Sequence, residues 1–315
     1  MNLLKILLIL SALALQTNFS AAQIRVVVLG SSTAAGVGPK QRDSCWVNRY
    51  RQYLLAQNPE NELINLAVGG YSTYHILPTG YDTIIGRPLP DTAKNITKAL
   101  SFDPDALLIN MPSNDASQGY SLQEQLANYD TILALAGAAQ VPVWIASTQP
   151  RHLSLKGIAL LTAMRDSTFT HFGAQSIDFW TTIAQADTIC PIYNSGDGIH
   201  LNSAGHHILL QRVIEKNIPQ FLAQTTTPDS ATYKLMLTQN PQKTAFSVVL
   251  ENDWRGTLRL EVLNLLGEVL VSEKVDKTAF RFETGVATST AFPKGSYQLV
   301  LKYKRQAVSE VFVVE

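Results

Sequence analysis

The sequence predicts a parallel, doubly wound α/β domain followed by a small antiparallel β-sandwich. Three observations lead there. Short apolar runs alternate with helical stretches over residues 24–221, the pattern of strands joined by helical crossovers. The first run, Val26-Val27-Val28-Leu29, stops abruptly at Gly30 and two serines, as a central strand covered on both faces does. A polar Thr/Pro segment at 223–230 then changes the composition, and beyond it apolar and polar residues alternate singly.

Length and composition bound the answer. A chain of 315 residues has room for two domains and a sizeable core. At 46% hydrophobic and 16% charged residues it reads as globular and sparsely charged. Lys plus Arg balance Asp plus Glu at 25 each, so no global field draws it to nucleic acid or an anionic membrane. Lys5, the apolar stretch 6–15 and Ser20-Ala21-Ala22 have the three-part pattern of a secretory signal peptide, assigned to residues 1–22. The mature chain is expected to start at Gln23. The apolar stretch is too short to cross a bilayer, and no later run does better, so no membrane span is expected. In an oxidising compartment Cys45 and Cys190 are a disulfide candidate, with independent burial of each thiol as the alternative. Two cysteines and the lack of a Cys/His cluster argue against structural zinc.

The elements follow in order. The first strand begins at Ile24 and ends at Gly30-Ser31-Ser32, with small residues 34–36 turning the chain tightly. Neither a GxGxxG fingerprint nor a phosphate-loop Lys-Ser/Thr pair follows. Asp43-Ser44 is expected to cap a helix through Gln57, and a second strand at 63–66 runs into Gly69-Gly70. A long loop follows from Tyr71 to Pro90, then a capped helix at 91–100. A buried strand at 106–109 ends in the polar cluster 110–115. A helix at 122–139, a strand at 141–146 ending in Thr148-Gln-Pro-Arg151, a helix at 153–172, a strand at 175–179 and a closing helix at 203–217 complete the first domain. The expected boundaries are 23–222 for this domain, 223–229 for the linker and 230–315 for the sandwich. In the sandwich, Leu258, Leu260 and Val262 alternate with polar residues, 269–271 returns, Pro293-Lys-Gly295 opens a strand through Tyr303, and 311–314 closes the chain.

Chemistry gathers where strands of the first domain end. Asp197-Gly-Ile-His200 precedes the closing helix. This spacing lets the carboxylate hold imidazole Nδ1 and turn Nε2 toward a serine, with Ser32 the expected nucleophile and Ser31 the alternative. A lone Asp-x-x-His pair also caps helices. The Asn114 side-chain amide, a Gly70 N–H and the N–H of Ser32 itself supply three donors for an oxyanion. His75, in the long loop with Tyr71 and Tyr74, is a candidate for the substrate rim. Arg151 is a candidate contact for an anionic or sugar group, with a surface salt bridge as its alternative. Trp180 is expected in the core. His206 and His207 fall on the closing helix, and His152 and His171 at helix ends or surfaces.

Taken together, Gly30-Ser31-Ser32, Gly70, Pro112-Ser-Asn-Asp115 and Asp197-Gly-Ile-His200 resemble the four sequence blocks of the SGNH hydrolases, also called GDSL esterases. The Ser, Gly, Asn and His of that name fall on Ser32, Gly70, Asn114 and His200. The resemblance spans residues 24–221 and implies a flavodoxin-like three-layer αβα fold that hydrolyses esters without cofactor or metal. It departs from the family at Ser31, where an Asp is usual, at Thr33, where a Leu is usual, and at Pro112, where a Gly is usual. These changes bear on substrate more than on mechanism. An α/β-hydrolase elbow is disfavoured because Ala34 occupies the last position of G-x-S-x-G.

The second domain is similar to the C-terminal sorting domain of type IX secretion, through 258–267, the Pro293-Lys-Gly-Ser-Tyr297 strand and the terminal 311–314. That resemblance implies the outer-membrane secretion machinery as a partner and a secreted or cell-surface location. A carbohydrate-binding or adhesive sandwich is the alternative. The expected function is removal of short acyl groups, acetyl foremost, from a small-molecule or polysaccharide substrate. A lipid esterase or lysophospholipase, or a non-catalytic surface protein that binds carbohydrate, stands as the rival reading.

Overall fold

The structure is a computed structural model that describes residues 23–82, 84–111, 113–224, 232–240, 245–264, 267–287, 292–304 and 306–314. The expected signal peptide, Pro112 and residues 225–229 of the expected linker lie outside them. The chain divides into two compact units, one of them Gln23–Leu222 and the other formed by the described residues after it.

The first unit is a parallel α/β fold with helices on both faces of one sheet. Its parallel strands are β1 (Arg25–Gly30), β2 (Glu62–Asn65), β3 (Ala106–Asn110), β4 (Val143–Ala146) and β5 (Ser176–Ile177), in spatial order β2-β1-β3-β4-β5. Register is continuous across the centre, with Val26 opposite Leu63 on one side and Ala106 on the other. In β1, alternate residues enter different cores. Val26 and Val28 pack with Trp46, Tyr50 and Leu209, whereas Val27 and Leu29 pack with Tyr74, Ile96 and Ile132. A half-exposed strand could not carry four consecutive buried aliphatics, so helices must cover both faces. They are α1 (Ser32–Ala35), α2 (Trp46–Gln57), α3 (Ile96–Leu100), α4 (Asn114–Ser117), α5 (Leu122–Ala138), α6 (Leu155–Phe172), α7 (Ser203–Ile214) and α8 (Ile218–Ala223). A two-residue-stranded hairpin, β6 (Ala184–Gln185) and β7 (Thr188–Ile189), precedes the Asp197 loop.

The helix starts differ from expectation in two places. Arg42–Ser44 forms a single 3-10 turn, and α2 is capped instead by Cys45, whose Sγ accepts from Asn48 N at 3.5 Å. The helix expected over 91–100 is only Ile96–Leu100, capped by Asn95, whose Oδ1 accepts from Lys98 N at 3.0 Å. The closing helix breaks at Asn217, where φ is 46°, and resumes as α8. Pro219 in the first turn of α8 could not have continued α7, because it has no N–H to offer.

The strand order reverses between β1 and β3. Loops leaving these two strands diverge to opposite faces, and the crevice at their carboxyl ends is where open α/β sheets bind ligands. Ser32 follows β1 and Asn114 follows β3.

The second unit is an antiparallel sandwich. One sheet runs β11 (Val269–Lys277), β10 (Gly256–Asn264), β13 (Gly295–Tyr303), β14 (Gln306–Val314), and the other β12 (Arg281–Ala287), β9 (Ala245–Glu251), β8 (Lys234–Gln239). Phe246, Val248, Leu258, Leu260, Leu299 and Leu301 from their facing sides fill its core.

Candidate active site

Ser32 is the first residue of α1, directly beyond β1. The junction is tied to β3 by Ser31 N, which donates to Asn110 O at 3.0 Å. A first helical residue has no carbonyl one turn back to receive its N–H, so the Ser32 N–H remains available for a ligand.

Ser32 Oγ lies 3.0 Å from His200 Nε2, and His200 Nδ1 lies 2.6 Å from Asp197 Oδ2. The other carboxylate oxygen, Asp197 Oδ1, accepts from Ile199 N and His200 N, each at 2.8 Å, and from Ser195 Oγ at 3.2 Å. One oxygen therefore folds the turn while the other orients the imidazole. Partial burial pushes the Asp197 carboxyl up, but the bonds from the His200 ring and from both N–H groups outweigh it and hold the group well below the usual carboxylate range. An ionised Asp197 fixes the Nδ1 proton, which leaves Nε2 as an acceptor facing the serine hydroxyl.

Two close approaches seat this turn. Gly198 has φ 71°, and a Cβ there would fall 2.6 Å from His152 Nδ1. The same contact carries a backbone bond, His152 N to Gly198 O at 2.8 Å. Gly38, with φ 116°, lies against the far side of the turn, where a Cβ would come within 2.1 Å of Leu201 O and 3.1 Å of His200 Cβ.

The Gly69-Gly70 turn borders the nucleophile: a Cβ on Gly69 would sit 3.8 Å from Ser32 Cβ, whereas one on Gly70 would meet nothing within 4 Å. The Gly70 side of this turn thus opens onto free space. Asn114 approaches from α4. Its Nδ2 donates to Ser31 Oγ at 2.7 Å and to Tyr71 O at 2.9 Å, and its Oδ1 accepts from Arg151 Nη1 at 3.2 Å. A guanidinium can only donate, so this contact fixes which end of the amide is which. Both amide hydrogens are engaged, and an oxyanion would have to share one of them.

The remaining sequence candidates distribute as follows. Arg151 is half-buried and donates to Asn114 Oδ1 and, at 3.5 Å, to Ser113 Oγ. Burial pushes its guanidinium down against the pull of Asp197. His75 Nδ1 accepts from Ser72 N at 3.1 Å, and its ring stacks on Tyr71 at 4.3 Å between centroids. Burial pushes His75 down, which favours the neutral ring this acceptor role needs. Tyr71 OH in turn donates to Asp91. Trp180 is buried against Leu161 and Met164. His206 is fully buried, with Nδ1 accepting from Trp46 N at 3.2 Å. The expected Cys45–Cys190 bridge is not formed, and both are free thiols. The Cys45 sulfur is buried in the α2 cap, and Cys190 Sγ donates to Gln185 Oε1 at 3.3 Å.

Sequence reasoning did not anticipate Ser31 as an acceptor for Asn114, nor the fully buried Asp115. The Asp115 carboxylate accepts from Thr73 N and Thr73 Oγ1, and Asn128 Nδ2 donates to the same hydroxyl. It pins the loop after Gly70 to α4. Burial pushes its pKa up to about 6, against the Thr73 bonds. Among the described residues, no group of three or more His, Cys, Asp or Glu is placed to hold a metal ion. Among them, too, no helix is long and apolar enough to cross a membrane.

The chain is similar in fold to several solved esterases. One is the psychrotrophic esterase EstA from a Pseudoalteromonas species, at 16% identity and TM-score 0.45, covering 63% of this chain and 99% of that one. A GDSL-like lipase from Bacteroides thetaiotaomicron aligns at 15% identity and TM-score 0.46, over 70% of this chain and 98% of that one. A two-domain esterase active on acetylated mannans aligns at 12% identity and TM-score 0.43, over 99% of this chain and 92% of that one. No curated protein matches the sequence. The sequence profile of the GDSL-like lipase/acylhydrolase family matches residues 28–208, more than half of the chain and every block that forms the site. The chain belongs to the GDSL-like lipase/acylhydrolase family, a family of ester hydrolases.

Proposed function

We propose that this protein is an exported serine esterase that removes short acyl groups, acetyl foremost, from carbohydrate. The observation that carries the reading is the continuous relay Ser32 Oγ, His200 Nε2, His200 Nδ1, Asp197 Oδ2, with contacts of 3.0 and 2.6 Å. Ser32 Oγ attacks the acyl carbon as His200 Nε2 takes its proton. The oxyanion forms facing the N–H groups of Ser32 and Gly70 and the Asn114 amide. Collapse expels the alcohol, which leaves with the proton from His200. Water, deprotonated by the same imidazole, then releases the acid and restores the serine.

A polar substrate is favoured by the loop that follows Gly70. There the stacked Tyr71 and His75 rings lie next to the Asn114 amide, which donates to Tyr71 O. One observation favours the rival lipid reading: Ile84, Ile85 and Leu89, further along this loop, are exposed. Hydrolysis of p-nitrophenyl esters of graded chain length separates the two. Steep loss of kcat/KM beyond acetyl supports the carbohydrate reading, and faster octanoyl than acetyl hydrolysis defeats it.

Export rests on the signal-peptide pattern of residues 1–22. For the sandwich we propose sorting across the outer membrane, supported by its own core and by a polar Thr/Pro connection. Deletion of 230–315 in the native host should leave the enzyme in the periplasm; normal surface display would defeat the assignment.

A further inference from the structure

The loop leaving β4 carries a side chain that bonds to the chain neighbours of both the nucleophile and the base. Gln149 is 1% exposed. Thr33 Oγ1 donates to its Oε1 at 2.9 Å, and its Nε2 donates to Ile199 O at 3.2 Å. Thr33 is the residue after the nucleophile, and Ile199 is the residue before the base. Thr33 is itself fully buried, so its hydroxyl has no water to turn to. The orientation of the amide is dictated by its partners. A backbone carbonyl can only accept, so Nε2 must face Ile199, and Oε1 is left to accept from the Thr33 hydroxyl.

We propose that Gln149 is a positioning residue that sets the register of nucleophile against base, an inference that rests on the Ser32–His200 reading above. The reasoning is geometric. Ser32 rides on α1 and His200 on a turn before α7, segments separated by most of the domain sequence. The 3.0 Å contact between them depends on how α1 and the turn are held relative to each other. Asp197 cannot do this, because its bonds to Ser195, Ile199 and His200 lie within the turn itself. His152 spends its backbone N–H on Gly198 O, within the turn, and not on α1. Gln149 makes a direct hydrogen-bonded strut from the residue beside Ser32 to the residue beside His200. A shift of about 1 Å between reacting groups can cost roughly 100-fold in rate, so the strut acts on kcat rather than on substrate binding.

Three variants test this in the full chain with p-nitrophenyl acetate, each assayed well below its own melting temperature. Thr33→Val removes one bond while keeping the shape. Gln149→Met removes both. Gln149→Glu keeps the acceptor for Thr33 but can donate to Ile199 O only while its carboxyl is protonated. The expected result is a kcat lowered by roughly 10- to 100-fold in Thr33→Val and Gln149→Met, with KM within about threefold. In Gln149→Glu the ratio of variant to parent kcat should fall as pH rises, because the carboxylate loses its donor. If Gln149→Met does not fold, Thr33→Val and the Glu pH profile still decide. Lowered melting temperature with parental kcat, and a pH-independent Glu ratio, would reduce Gln149 to a packing residue and overturn the proposal. Ser32→Ala measured alongside separates this from failure of the catalytic reading: if Ser32→Ala also retains turnover, it is the nucleophile assignment that falls.

Discussion

Replacing Asp197 by Asn would leave the shape of the site intact and reverse the direction of its proton relay. Asp197 Oδ1 receives three donors, from Ile199 N, His200 N and Ser195 Oγ. An amide at this position must keep its oxygen toward them, because its NH2 group cannot accept. The NH2 is then forced onto the side of Oδ2, facing His200 Nδ1 at about the present 2.6 Å. There it donates, so Nδ1 must become the acceptor and the ring proton moves to Nε2, facing Ser32 Oγ. The imidazole can no longer take the serine proton. A tautomer reversal of this kind costs about 10⁴ in kcat, or about 5.5 kcal/mol of transition-state stabilisation. The bonds that fold the turn survive, so the melting temperature should move little. The assay is kcat and KM on p-nitrophenyl acetate across neutral pH, with thermal denaturation on the same preparations. A kcat within tenfold of the parent, in a folded protein, would refute the role assigned to Asp197.

Other outcomes follow from the same geometry. Asn114→Ala should lower kcat on the order of 10²- to 10³-fold, the usual worth of one oxyanion donor; an unchanged kcat would remove Asn114 from the site. Asp115 titrates near 6 in the folded protein, above its ordinary 3.8, so the folded state holds the proton more tightly and this group's stabilisation is lost as pH rises through 6. The melting temperature of Asp115→Asn relative to the parent should therefore climb between about pH 4 and pH 7, and a constant difference would contradict it. The comparison must be made pairwise at each pH, because buried His206, pushed down to about 4, contributes the opposite slope over much of the same range. A chain of residues 23–224, which keeps both cores of the first unit, should fold and turn over small esters at the full-length rate; loss of small-ester turnover would show that the sandwich is needed for catalysis.

Much of this arrangement is legible in the sequence, and the reasons it stops being so are local. Four aliphatics in a row at Val26–Leu29 fit only a strand covered on both faces, and each residue indeed enters a core. Single alternation at Leu258, Leu260 and Val262 marks a sheet with one dry face, and those three point into the sandwich core. The turn at 197–200 brings carboxylate and imidazole together because three residues of chain suffice to do so.

What escapes is pairing at a distance. The start of α3 cannot be read from 91–100, because Asp91 is drawn away by the loop after Gly70, its carboxylate taking the Tyr71 hydroxyl and its N–H bonding to His75 O. The cysteine bridge also needed a pairing at a distance, and each sulfur instead meets a partner close in sequence. Arg151 reads as a contact for an anionic or sugar group, or as one half of a surface salt bridge, but spends an N–H on Asn114. Gln149 has no motif at all, since its meaning lies in two partners 116 and 50 residues away.

The central claim is that Ser32, and not its buried neighbour Ser31, carries the acyl group. A fluorophosphonate ester reacts with an activated serine by losing fluoride and leaving a stable phosphonyl adduct, and fragmentation mass spectrometry of the 26–49 region can assign it between adjacent residues. The expected result is one adduct on Ser32, abolished in Ser32→Ala and strongly slowed in Asp197→Asn. An adduct on Ser31, or labelling that persists in Ser32→Ala, would contradict the account.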